Sequence, residues 1–104
     1  MEKMEELSFK MISAVGTARS NYIQAIRQGK KGDFAAAAAS MEAGDKAFQQ
    51  GHDVHLSIIK EMAENEEKID ILLLHAEDQL MSAENFKIIA AEFIDLYKTV
   101  LEKG

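Results

Sequence analysis

A chain of 104 residues has the length of a single domain, taken here as residues 1–104, and the lack of cysteine excludes disulfides, thiolate catalysis and Cys-based zinc sites. A net charge of -6 argues against nucleic acid and against an anionic membrane surface as partners. No run approaches the ~20 apolar residues of a membrane span, and the charged start Met1-Glu2-Lys3-Met4-Glu5-Glu6 has no stretch of signal-peptide type, so a cytoplasmic location is expected.

Helix formers dominate, proline is absent, and no alternating Val/Thr/Tyr segment bounded by turn pairs occurs, which predicts an all-α fold. The first helix is expected to start around Met4 to Leu7 and to run to about Gln28, with apolar side chains such as Met11, Val15, Ala18 and Tyr22 at helical spacing. Gly29-Lys30-Lys31-Gly32 should end it, and Asp33 is a natural N-cap for a second helix. That helix is expected from Phe34, across Ala35 to Ala39, to about Met62. Gly44 and Gly51 either weaken its interior, by about 1 kcal/mol each relative to Ala, or permit close approach of a neighbouring helix. The charged stretch from Glu61 to Lys68 should hold the second turn, and a third helix is expected from about Glu67 to Leu101. Short connections between long helices predict an up-down-up antiparallel bundle.

The third helix carries two apolar stripes when its residues are placed at about 100° intervals. Ile69, Leu72, Leu73, Ala76, Leu80, Ala83, Ala90, Ala91 and Ile94 suit the bundle core. Ile71, Leu74, His75, Asp78, Ser82, Ile89, Phe93 and Leu96 form the other stripe, leaving Glu77, Glu84 and Asp95 for solvent. A helix that is apolar nearly all round must be buried nearly all round. The simplest burial for the second stripe is another copy, which predicts a homo-oligomer joined through the third helices.

His75 interrupts an apolar run, with Asp78 one turn away on nearly the same face. A neutral imidazole is a good nucleophile, and apolar walls would keep it neutral and shield an adduct from water. The plainer alternative is a buried polar pair that specifies oligomer register in a non-enzymatic helical interaction protein. His52 and His55, with Asp53 between them and Asp78 elsewhere, leave a transition-metal site open, although the spacing is not diagnostic. Gly16-Thr17-Ala18-Arg19-Ser20 offers hydroxyls and a guanidinium suited to phosphate but matches no phosphate-binding loop. Met41, Met62 and Met81 are expected to be packing residues.

Several motifs align with one family. Gly16-Thr17-Ala18-Arg19-Ser20 resembles its GxARS element, and Gly32-Asp33-Phe34-Ala35-Ala36-Ala37 its GDFxxA turn. Gly51-His52-Asp53-Val54-His55 stands where AHxxQ is usual, and His75 to Ala83 resembles the HAQDHLM(T/S)A core. The sequence is similar to enzyme IIA components of the lactose/cellobiose type from the bacterial phosphoenolpyruvate-dependent sugar phosphotransferase system. The resemblance implies a trimer of three-helix subunits and a phosphocarrier. His75 would accept a phosphoryl group from phospho-HPr and pass it to a cysteine of enzyme IIB, for uptake of a β-disaccharide such as cellobiose, lactose or chitobiose. Asp78 matches an aspartate whose three copies can hold Mg²⁺ or another divalent cation on the trimer axis; no organic cofactor is implied. The chain departs from the pattern at Gln79, where a second histidine is common, and at His55 and Leu56, where glutamine and threonine are usual.

Overall fold

Described residues 2–66 and 68–103 of the computed structural model form three helices: α1 (Lys3–Lys30), α2 (Phe34–Asn65) and α3 (Ile71–Lys103). They run up, down and up in a rod of 58 × 17 × 16 Å. Glu67, the expected start of the third helix, lies outside the described residues. The helix begins instead at Ile71, because Asp70 accepts the Leu73 backbone N–H on its carboxylate at 2.9 Å and so caps it. At the first turn Asp33 caps α2 by accepting from the Ala36 N–H at 3.1 Å, and Gly32 takes a positive φ of 84°.

The core follows a heptad rule. On α1 the buried residues are Met4, Ser8, Met11, Val15, Ala18, Tyr22, Ala25 and Gly29, alternating steps of four and three. Ala37, Ser40, Gly44, Ala47 and Gly51 repeat the pattern on α2, and Leu73, Ala76, Leu80 and Ala83 on α3. Such seams allow nearly parallel helix axes. Larger side chains fill the end that carries the start of α3, where Met4, Met11, Val15, Ile58, Leu73 and Leu80 cluster. Toward the other end the seams shrink to Ala and Gly around Tyr22. A Cβ on Gly44 would stand 2.5 Å from Tyr22 Cε1, and one on Gly51 2.8 Å from Val15 Cγ1. Close approach is therefore the role of both glycines.

One polar node joins all three helices. Tyr22 donates its hydroxyl to Asp45 Oδ1 at 2.8 Å, and Lys87 Nζ lies 3.3 Å from the same oxygen. Burial first, then the hydrogen bond to Asp45 and its negative charge, push the Tyr22 phenol well above its ordinary range. Tyr22→Phe should lower unfolding free energy by about 1 kcal/mol in urea titration, a modest loss because Asp45 keeps Lys87 and is partly solvated.

Some side chains of α3 depart from the wheel. Ile69 precedes the helix and is 63% exposed, so it does not reach the core. Ala91 sits one residue past the buried Ala90 and faces out. Met81 is exposed rather than packed, while Met41 and Met62 pack against the core. Glu77, assigned to solvent by its charge, is half-buried against α2. The second stripe is as expected: Ile71, Leu74, His75, Asp78, Ser82, Ile89, Phe93 and Leu96 all lie open on one face of the single chain.

Candidate functional site

His75 occupies the second turn of α3, above the Asp70 cap. The cap and the heptad seam decide where it points. Leu73, Ala76 and Leu80 bury one side of the helix, so His75 emerges on the other, between exposed Ile71 and Leu74 below and Ser82 above. Asp78 is exposed beside it, one turn further on. The N-terminal end of α3 is the positive end of its dipole and favours negative charge placed nearby. An accessible imidazole set in an apolar stripe can act as a nucleophile toward an incoming electrophile.

The other candidates fall elsewhere. His55 does not face His75; its Nδ1 lies 2.8 Å from the Glu77 carboxylate, across the α2–α3 boundary. The His52 and His55 rings are 6.1 Å apart. Asp78 points to the open face, so the metal set of His52, His55 and Asp78 is not assembled. Among the described residues, no group of three or more His, Asp or Glu side chains within one chain is arranged to hold a metal ion. Arg19 is exposed on α1. Both Val15 and Leu80 contact the Gly51 position, which sets the two helices level there. Arg19 therefore stands near the level of Glu84, about 13 Å along the axis from His75 in the same chain. Gly16 is open, with nothing within 4 Å of its Cβ direction, and lies in a shallow groove with Ser13, Thr17 and Ser20.

Two features of this region escaped the sequence. The Asp70 cap was signalled by an Asp directly before the apolar run Ile71-Leu72-Leu73-Leu74. The His55–Glu77 bridge had no signal in the sequence, because it joins residues on two different helices whose relative rotation only the fold sets.

A sequence profile described as the PTS system lactose/cellobiose specific IIA subunit matches residues 6–98. The chain belongs to this family. IIA chains of this type are components of the sugar phosphotransferase system, and this chain shares their helical fold. It is 38% identical to the oligo-beta-mannoside-specific EIIA component of Bacillus subtilis (strain 168), over 91% of this chain and 87% of that one. The crystal structure of the cellobiose-specific enzyme IIA from Bacillus anthracis superposes with a TM-score of 0.94 at 38% identity, covering 100% of this chain and 96% of the other. A IIA subunit solved as the IIA(chitobiose)–HPr complex matches with a TM-score of 0.85 at 32% identity, covering 96% and 98%. No helix among the described residues is long and apolar enough to cross a membrane.

Proposed function

We propose that this IIA chain is a phosphocarrier, with His75 as the residue that is phosphorylated. The observation that carries the reading is the accessible imidazole on the open apolar stripe of α3, within the motif that the family resemblance marks. The donor is phospho-HPr, a partner supported by the complex of the chitobiose relative with HPr. The acceptor is a cysteine of enzyme IIB, and the sugar is a β-disaccharide of the cellobiose, lactose or chitobiose class. Relatives named for β-mannosides, chitobiose and cellobiose support that class.

The transfer needs little covalent help from the protein. The Nε2 lone pair of His75 attacks phosphorus in line. The donor's P–N bond breaks and its electron pair returns to the donor imidazole. In the second half, the cysteine thiolate attacks, and the P–N bond at His75 breaks with its electrons returning to that ring. The chain contributes position and dryness: apolar neighbours exclude water from the phosphohistidine when a partner docks. A relay must release its partners quickly, which suits small, transient interfaces.

The assembly in this reading is a homotrimer built on α3. Three copies bring Ile71, Leu74, Ile89, Phe93 and Leu96 together in a second seam. The same symmetry brings three Asp78 carboxylates near the axis, where like charges repel unless protonated or bridged. Carboxylate oxygens suit a hard divalent cation such as Mg²⁺, which would neutralise that charge, and Asp78 is the residue that would hold it.

The experiment is a relay. The chain is incubated with phosphoenolpyruvate, enzyme I and HPr, and then chased with the cognate enzyme IIB. Base-stable, acid-labile label that enters with HPr and leaves with IIB is the expected result. A chain that takes no label in the presence of phospho-HPr contradicts the proposal.

A further inference from the structure

We propose that the His55–Glu77 bridge is a tether that sets the rotation of α3 and so the presentation of His75, making both members positioning residues; this rests on the phosphocarrier role of His75. His55 Nδ1 lies 2.8 Å from each oxygen of the Glu77 carboxylate, and both side chains are about three-quarters buried, with exposures of 26% and 27%. α3 packs mainly on α1 and meets α2 sparsely. Its other side-chain ties to α2 are farther along: Lys87 on Asp45, and Lys98 over the Phe34 ring at 5.6 Å. Among the described residues, Glu77 is thus the member of α3 nearest the helix start whose side chain is hydrogen-bonded to α2.

Its angular place gives the bridge leverage. Two residues at 100° each put Glu77 about 200° round the helix from His75. Their separation along the axis is only about 3 Å. Fixing Glu77 against α2 therefore turns His75 away from α2 and out into the open stripe. Without the tether, the buried side chains of α3 at this level are Leu73, Ala76 and Leu80, and apolar contacts are non-directional. The bridge works in either protonation state of His55. A neutral imidazole donates Nδ1–H to the carboxylate, and an imidazolium adds charge to the same hydrogen bond.

The two side chains are chemically complementary, a ring N–H donor facing a carboxylate acceptor, and two amides can span the same gap with one N–H···O bond.

The test is a cycle of variants in phosphoryl transfer from phospho-HPr, combined with NMR of the His75 ring and amide exchange over residues 71–79. His55→Ala and Glu77→Ala should each lower kcat by about 5-fold or more with little change in KM, since docking is kept and alignment is lost. The double Ala variant should fall no further, because the two residues act as one unit. The double variant His55→Gln/Glu77→Gln should return to within about 2-fold of the wild type. The Ala variants should also shift the His75 ring resonances and speed exchange in the first turns of α3. Wild-type kcat in the Ala variants, additive losses, or failure of the amide pair to rescue would overturn the tether. Failure of the carrier role itself has a different signature: an unlabelled wild-type chain, with ring shifts and exchange still reporting whether the bridge holds α3.

Discussion

Gly44→Ala should destabilise the fold by about 2–3 kcal/mol, although alanine is the better helix former by about 1 kcal/mol. The added Cβ would stand 2.5 Å from Tyr22 Cε1 and 2.7 Å from Cδ1. Tyr22 has no room to yield: it is fully buried, and Asp45 holds its hydroxyl. Either α1 and α2 separate along the Ala/Gly half of the seam, or the ring leaves its slot and gives up the hydrogen bond. Both outcomes cost more than the propensity returns. Gly51→Ala should cost less, because its nearest obstacle is a single methyl of Val15 at 2.8 Å. Urea titration monitored by circular dichroism measures both. A stabilising Gly44→Ala would contradict the close packing of α1 on α2.

Ile89→Asp should break the proposed trimer into monomers. Ile89 and Phe93 lie open on α3, 49% and 42% exposed, and line one shallow hollow with Leu96. Each such side chain contributes about 1.5–3 kcal/mol when fully buried. In a threefold seam the substitution removes three of them and brings three carboxylates into the same apolar layer, where desolvation and mutual repulsion both oppose assembly. The three-helix subunit should remain folded, since Ile89 takes no part in the heptad core. Sedimentation equilibrium is the measurement, with a threefold drop in mass from wild type to variant as the expected result. A wild-type chain that sediments as a monomer would contradict the proposed assembly.

How far the sequence could be read depended on whether a feature needed its neighbours. The seams were legible because each helix repeats its own apolar pattern over many turns, and period alone places Met11, Val15, Leu73 and Leu80 inside. Asp33 was legible because a cap is local. Gly44 and Gly51 were ambiguous in the chain, since the same residue weakens an isolated helix and enables a close crossing; only the position of Tyr22 and Val15 decides. The start of α3 was misplaced because Glu67, Lys68 and Ile69 have acceptable helix propensity, and propensity is a weak prior beside a capping hydrogen bond such as that of Asp70. Glu77 was given to solvent by its charge, and its true surroundings require knowing that α2 brings His55 to that side. The open stripe with His75 and Asp78 was visible in advance, because surplus apolar surface is a property of one helix.

In the proposed relay, His75 carries the phosphoryl group. The deciding measurement maps label by mass spectrometry after reaction with phosphoenolpyruvate, enzyme I and HPr. The predicted result is a single phosphorylated site at His75 in the wild type and none in His75→Ala. Undiminished labelling of the His75→Ala chain, or label mapping to His52 or His55, would contradict it.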